Sequence, residues 1–109
     1  MFQSGDVVLV PFPFTDFTAV KKSPVLVGRP MDSRGDLVCM AITSSQGHED
    51  AIALDAADFE EGVLPKASWV RFAKLYTIHE DVVIGRFGGL NASLLDRVRN
   101  RFYRHFGCL

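Results

Sequence analysis

The fold is decided by residues 37–43, which read LVCMAIT. This segment carries no charge and is apolar on both faces of an extended chain, the pattern of a strand that is buried between other strands. We expect it to lie in the middle of a sheet. Shorter apolar runs on either side predict the neighbouring strands, at residues 7–10, 24–27, 51–54, 67–72 and 82–84.

Turn residues and polar loops separate these runs. Pro11 and Pro13 end the first run, because proline has no N–H to donate to a strand ladder. Together with the run at 24–27, the first run predicts a hairpin that has a long loop. Residues 55–62 are acidic and contain no cation, so we expect a solvated surface there.

The hydrophobic pattern changes to helical spacing after Asn91. The apolar residues there recur three or four positions apart, and they are Leu94, Leu95, Val98, Phe102 and Phe106. Asn91 or Ser93 is suited to cap the start of a helix, and Gly107 is suited to end it. Five or six short strands followed by one terminal helix predict a mainly β fold, in which a small antiparallel barrel or curled sheet packs against the helix.

The composition is that of an ordinary folded protein, with 109 residues, 48% hydrophobic content and 23% charged content. This apolar content excludes an intrinsically disordered chain, and the length favours a single domain over residues 1–109. The formal net charge of −1 excludes a protein that coats nucleic acid through its overall charge. Any nucleic-acid site must therefore be a local basic patch.

The sequence contains no signal for a membrane, for secretion or for a metal. Its apolar runs are shorter than the roughly 20 residues that span a bilayer, and the N-terminus lacks the features of a signal peptide. We therefore expect a cytoplasmic protein that binds no membrane. Cys39 and Cys108 are far apart and predict neither a disulfide framework nor a zinc site. His48, His79 and His105 lack metal-ligand spacing, and each is predicted to lie at the surface.

The terminal helix has a basic face. Arg97, Arg101 and Arg104 recur at helical spacing, with Arg99 nearby and Asp96 as the single acid. A solvated helix face explains this pattern, and so does a surface that attracts RNA from a position close to a binding site. Both interpretations are open from the sequence.

Several ordered segments resemble the MazF/PemK (Kid) family of toxin ribonucleases. They are GDVVLVPFPFTD at 5–16, KKSPVLV at 21–27, AITS at 41–44, SWVRF at 68–72 and LYTI at 75–78. The resemblance spans the chain and implies an SH3-like barrel, a homodimer and sequence-specific cleavage of single-stranded RNA without a metal or another cofactor. It also implies inhibition by a cognate antitoxin, whose disordered tail covers the RNA groove.

The same resemblance implies two catalytic residues. Thr43 matches the active-site threonine of the family, and Arg71 matches the arginine proposed as catalytic in the Kid branch. Two positions depart from the family pattern. Ser23 stands where most relatives have arginine, and Ala73 stands where the Kid branch has aspartate.

RNA cleavage through the neighbouring 2′-hydroxyl needs a group that takes its proton, a cation for the charge that develops on phosphate, and a donor to the leaving 5′-oxygen. The Arg71 guanidinium suits the cation, because it directs two N–H donors at phosphate oxygens, and the Thr43 hydroxyl can donate to phosphate. Lys21 or Lys22 could replace part of the charge missing at Ser23. The candidate RNA-binding residues are Lys21, Lys22, Phe14, Thr15, Asp16 and Ser44.

Other interpretations of these residues are open. Arg71 is also explained as an arginine whose aliphatic chain packs on Trp69 while its guanidinium is solvated. Thr43 is also explained as a threonine that merely ends a strand. The endoribonuclease is the leading hypothesis, and the changes at Ser23 and Ala73 leave open an alternative, a catalytically degraded barrel that binds an antitoxin or nucleic acid without cleavage. A peptide-binding SH3-like module is a further hypothesis, which requires an aromatic groove for proline-rich peptides.

Overall fold

In the computed structural model, the described residues are 2–13, 20–30 and 34–107. Within these ranges the strands are β1 (Asp6–Pro13), β2 (Val20–Pro30), β3 (Asp36–Thr43), β4 (Ala51–Leu54), β5 (Phe59–Gly62), β6 (Ser68–His79) and β7 (Gly85–Leu90). The α-helix is α1 (Ala92–His105), and 3-10 turns occupy Ala56–Asp58 and Glu80–Val82. No helix in this part of the chain is long and apolar enough to cross a membrane.

The strands form one antiparallel sheet in the order β4-β6-β3-β2-β1-β7-β5. The predicted hairpin is present, since β1 pairs with β2 along its length. Segment 37–43 lies inside the sheet as part of β3, between β2 and β6, as predicted. The sheet curls into a half-barrel and is followed by the terminal helix, which confirms the predicted mainly β fold.

Buried side chains pack on both faces of this sheet. On one face, Leu94 and Val98 of α1 join a cluster that includes Leu26, Val70 and Phe72. The cluster on the other face comprises Val8, Val10, Val25, Val27, Leu37 and Cys39. Successive side chains of a strand point to opposite faces, so a strand that is covered on both faces must be apolar throughout. This explains the continuous apolar runs at 7–10 and 24–27.

The last strand differs from the prediction. Residues 82–84 are not a strand, because Val82 belongs to a 3-10 turn and the strand is β7. The sequence of β7, GRFGGL, is rich in glycine, which has a low strand propensity, so its local pattern does not indicate a strand. This strand forms through its pairing with β1 on one side and β5 on the other.

Two further segments are more ordered than the sequence indicates. The strand predicted at 67–72 continues to His79, because β6 pairs along the whole of β3. The acidic residues 55–62 are largely exposed, but they contain a 3-10 turn and the edge strand β5. Glu61 pairs with Arg86 at 2.9 Å and Asp58 pairs with Arg97 at 3.4 Å. Cations from distant parts of the sequence therefore neutralise part of the acidic run.

The helix begins at one of the two predicted caps. Asn91 is the N-cap: its Oδ1 accepts a hydrogen bond from the Leu94 N–H at 2.9 Å, and its Nδ2 donates to the Ala57 carbonyl at 3.0 Å. The helix ends with Phe106 as the C-cap, and Gly107 follows with φ at +71°. Glycine is favoured at this left-handed position because it has no Cβ.

Candidate functional site

A groove crosses β2, the end of β3 and the start of β6. It consists of two adjoining cavities of about 310 and 650 Å³. Both are lined by Lys21, Ser23, Pro24, Ile42 and Thr43. The smaller cavity continues toward residues 64–66, and the larger one continues toward β6. The segments at 21–27 and 41–44, which carry the family resemblance, therefore meet in one groove.

The sheet register brings Thr43 and Arg71 to the same cavity. Ala41 is paired with Arg71, and Thr43 is paired with Trp69. The next pair is Met40 with Leu75, so residues 72–74 have no partner on β3. A bulge of this kind bends a strand and changes the direction of the side chains beside it. Thr43 and Arg71 both line the larger cavity, and their roles there stay predictions.

Thr43 presents its hydroxyl at the point where β3 ends. Its Oγ1 accepts a hydrogen bond from the Ser45 N–H at 3.1 Å. A hydroxyl has one hydrogen to donate in addition to its acceptor lone pairs. This arrangement holds the oxygen in place through the backbone, and the hydroxyl hydrogen can donate to a ligand such as a phosphate oxygen.

Arg71 is held by an acidic residue that the sequence analysis did not single out. Its Nε donates to Oδ1 of Asp50 at 3.1 Å, and the two side chains are 25% and 10% exposed. Burial alone raises the pKa of the Asp50 carboxyl, but the hydrogen bond and the charge of Arg71, together with the backbone N–H groups of Asp50 and Ala73, lower this pKa below its usual value. The Arg71 guanidinium is therefore anchored through its Nε to a carboxylate, a contact that the sequence did not indicate.

The described residues of the groove carry positive charge. Lys21 lines both cavities, Lys22 and Lys66 line the smaller one, and Lys74 lines the larger one with Arg71. No carboxylate lines either cavity in the ranges 2–13, 20–30 and 34–107. In a chain with a net charge of −1, this is the local basic patch that a nucleic-acid site requires.

The remaining predicted RNA-binding residues have different outcomes. Ser44 lines the smaller cavity beside Thr43. Phe14, Thr15 and Asp16 lie outside the described residues. Their roles stay predictions.

His48 lies close to Thr43 and Arg71, which its sequence context did not indicate. It is predicted to be a surface histidine, and in the structure it is half-buried and lines the larger cavity together with these two residues. The loop that carries it returns to the groove only in the folded chain, so its nearness to Thr43 in sequence was the one available signal. The other two histidines are exposed: His79 caps a 3-10 turn, and His105 packs edge-on against Phe72.

The arginine face of α1 lies outside this groove. Arg97 pairs with Asp58, Arg99 pairs with Asp96 at 2.8 Å, and Arg101 stacks over the Phe72 ring. None of these arginines lines the two cavities of the groove among the described residues. A role for this face in attracting RNA stays a prediction.

In the described part of the chain, no group of three or more His, Cys, Asp or Glu side chains is placed to hold a metal ion. The groove offers guanidinium, ammonium, hydroxyl and imidazole groups, all of which can bind or donate to phosphate.

A family match covers nearly the whole length of the chain. Residues 3–106 match the family described as PemK-like, MazF-like toxin of type II toxin-antitoxin system. The chain belongs to this toxin family. No curated protein is significantly similar to it in sequence.

Solved PemK/MazF-type structures share its fold. A MazE-MazF structure from Deinococcus radiodurans has a TM-score of 0.78 at 19% identity. The matched region covers 97% of this chain and 96% of the Deinococcus chain. A mycobacterial endoribonuclease in complex with its cognate antitoxin has a TM-score of 0.76 at 14% identity, with coverages of 98% and 96%. The Mycobacterium tuberculosis toxin MazF-mt6 has a TM-score of 0.68 at 18% identity, with coverages of 94% and 96%. These likenesses show that the curled sheet and helix form a MazF-type fold.

In this PemK/MazF family member, other charged residues lie near both positions that depart from the family pattern. Ser23 lacks the family arginine, but Lys21 lines the same two cavities. Ala73 lacks the aspartate of the Kid branch, but Asp50 supplies a carboxylate to Arg71 from the segment before β4. Lys21 lies in the segment at 21–27 that carries the family resemblance, whereas Asp50 lies outside the resembling segments.

The Asp50–Arg71 pair predicts a pH-dependent stability. We expect Asp50→Asn to lower the free energy of unfolding by about 1–2 kcal/mol near neutral pH, because the charge-assisted bond is lost. The pKa of Asp50 is lowered in the folded state. Its stabilisation is therefore complete above the pKa of the unfolded chain, about 3.9, and is lost as the pH falls through the folded-state value.

Urea unfolding of the unaltered protein and of Asp50→Asn measures this effect. The difference in unfolding free energy should be equal at about pH 7 and about pH 5.5 and smaller at about pH 3.5. A difference that stays constant down to about pH 3.5 would contradict an ionised, stabilising Asp50.

Proposed function

We propose that this toxin is a sequence-specific endoribonuclease, an mRNA interferase that cuts single-stranded RNA without a metal or another cofactor. One observation carries the proposal. Thr43 and Arg71 line a single cavity whose described residues include the cations Lys21 and Lys74 and no carboxylate. Such a groove is suited to the RNA backbone, because lysine and arginine neutralise phosphates and release their counterions.

The proposed reaction uses the 2′-hydroxyl of the RNA as the nucleophile. Its oxygen attacks the adjacent phosphorus, the bond from phosphorus to the 5′-oxygen breaks, and the products are a 2′,3′-cyclic phosphate and a 5′-hydroxyl. One proton leaves the 2′-hydroxyl and one reaches the 5′-oxygen. Arg71 stabilises the charge that grows on the non-bridging oxygens, and Thr43 donates a hydrogen bond to one of them.

His48 is our candidate for proton transfer. It lines the cavity that holds Thr43 and Arg71. Imidazole is the side chain that most often transfers protons in enzymes near neutral pH, whereas a guanidinium stays protonated and is a poor base. With this assignment, the base that takes the proton of the 2′-hydroxyl belongs to the groove itself.

The positions of Lys21 and Asp50 support catalysis over binding alone. A degraded site is expected to lose the charges that act on the phosphate. Here a lysine lines the groove beside Ser23, and a buried carboxylate holds Arg71 beside Ala73. The alternative, a barrel that binds an antitoxin or RNA without cutting it, is the outcome that the test below distinguishes.

We further propose a homodimer in the cytoplasm with a cognate antitoxin as its partner. The family description is that of a type II toxin-antitoxin system, and two of the similar structures are a MazE-MazF complex and an endoribonuclease bound to its cognate antitoxin. The cations of the groove favour an acidic antitoxin segment that competes with RNA.

The function is tested by incubating the purified protein with a long, weakly structured RNA in EDTA and mapping the ends of the products. We expect discrete cuts that leave 5′-hydroxyl and 2′,3′-cyclic phosphate ends. A matched RNA with a 2′-O-methyl group at the mapped site should stay intact, because its nucleophile is blocked. A folded protein that binds RNA and leaves it uncut would contradict the endoribonuclease and favour the non-catalytic binder.

A further inference from the structure

We propose that Asp50 is the positioning residue that orients Arg71 toward the scissile phosphate, an inference that rests on the proposed RNA cleavage. Asp50 is not part of any segment that carries the family resemblance. It lies in the loop between β3 and β4, one residue before β4 begins. The structure brings this loop against the bulge of β6 that carries Arg71.

The backbone of Asp50 is fixed at this bulge. Its carbonyl accepts a hydrogen bond from the Phe72 N–H at 3.0 Å, directly after Arg71 in the chain. The strand β4 continues this contact, with Ala51 paired to Arg71. Asp50 itself is only 8% exposed. The backbone of Asp50 is therefore held by hydrogen bonding and its short side chain by burial, so Asp50 can impose its own position on a longer and more flexible side chain.

The contact leaves one edge of the guanidinium available. The Nε of Arg71 donates to Asp50 Oδ1. Among the described residues, no hydrogen bond is made by the two terminal nitrogens of Arg71. The guanidinium is planar and rigid, so fixing its Nε also fixes the direction of the terminal pair. These two terminal N–H groups can donate to two phosphate oxygens at once.

Stability alone is a poor explanation for this carboxylate. The Oδ2 of Asp50 is buried and has no hydrogen-bond partner among the described residues. An unsatisfied buried carboxylate oxygen destabilises a fold, and a buried ion pair is often no more stabilising than apolar residues of the same size. The arrangement is explained if the carboxylate is required to hold Arg71.

Asp50 could instead act on RNA binding, and a measurement of kcat and KM distinguishes that effect from positioning. A carboxylate beside Arg71 lowers the positive potential that attracts RNA. If Asp50 only neutralised the charge of Arg71, its removal would tighten RNA binding and raise the rate of cleavage. If Asp50 positions Arg71, its removal lowers kcat and leaves the KM nearly unchanged, because the other cations of the groove still bind the RNA.

The experiment compares Asp50→Asn with the unaltered protein on a short RNA that contains the mapped cleavage site. We expect kcat to fall by about 10- to 100-fold, the loss typical of a misplaced catalytic group, and the KM to change by less than about threefold. Glu49→Gln is the matched control, since it removes the same charge from the adjacent, exposed residue of the same loop. It should keep kcat within about twofold.

A second variant covers a failure of Asp50→Asn to fold. Asp50→Glu keeps the charge but moves the carboxylate by one methylene, and we expect it to lower kcat by about tenfold at a similar KM. An unchanged or increased kcat in the folded variant, with cleavage by the unaltered protein, overturns the role of Asp50 alone. No cleavage by the unaltered protein overturns the proposed function and this inference together.

Discussion

Arg71→Ala is expected to lower kcat/KM for RNA cleavage by about a thousandfold, the largest loss that we expect from a single substitution in this chain. Alanine removes the guanidinium that shares a cavity with Thr43 and that, in the proposed reaction, stabilises the developing charge on phosphate. Lys21, Lys22 and Lys74 remain in the groove, and we expect them still to bind the RNA backbone. Binding of a non-cleavable 2′-O-methyl RNA should therefore weaken by less than about tenfold.

Two controls separate this effect from a loss of folding. Arg71→Ala leaves Asp50 buried without its cation, so the double variant Asp50→Asn, Arg71→Ala should recover stability without recovering cleavage. Arg99→Ala makes the same substitution at an exposed arginine that pairs with Asp96 on α1, and its activity should stay within about twofold of the unaltered protein. Cleavage by Arg71→Ala at the original rate would contradict the assignment of Arg71.

Gly62→Ala is expected to destabilise the fold by about 3 kcal/mol or more. Gly62 has φ at +76°, and a Cβ added there would overlap the carbonyl oxygen of Phe87. Gly62 lies opposite Gly88, where β5 and β7 approach closely. The obstacle is backbone on a paired strand, so relief requires separation of the two strands. Urea unfolding measures the change in the free energy of unfolding.

Two glycines make matched controls for this prediction. Gly85→Ala lies on the same strand as Gly88, with no heavy atom within 4 Å of the added Cβ, and should change stability by less than about 0.5 kcal/mol. Gly47→Ala has φ at +94° and also open space, so it isolates the backbone strain, about 1–2 kcal/mol. If Gly62→Ala costs no more than Gly47→Ala, the close approach of β5 and β7 is not the source of the effect.

Much of the fold could be predicted because it depends on local patterns. The segment 37–43 is apolar on both faces, and its side chains contribute to both core clusters, one on each face of the sheet. The stripe from Leu94 to Phe102 has helical spacing, and it packs against the sheet. The strand β7 could not be predicted, since its glycines are required for the approach to β5 and have no strand propensity of their own.

The candidate site divides in the same way. Thr43 and Arg71 were found through segments that resemble a family, and the structure places them in one cavity. His48 and Asp50 belong to a loop whose sequence has no such resemblance. Their nearness to Arg71 results from the pairing of β4 with β6 and from the bulge at residues 72–74. Neither feature has a local pattern that sequence reasoning can detect.

By itself, the sequence determined the class of fold, most of the strands, the terminal helix and the resemblance to a toxin family. These follow from periodicity, capping residues and ordered motifs, which neighbouring residues specify. Only the tertiary structure decided which groups surround Arg71, including the carboxylate of Asp50. The physical reason is that a site depends on contacts such as Asp50 with Arg71, which are distant in the chain and are made only when the sheet has formed.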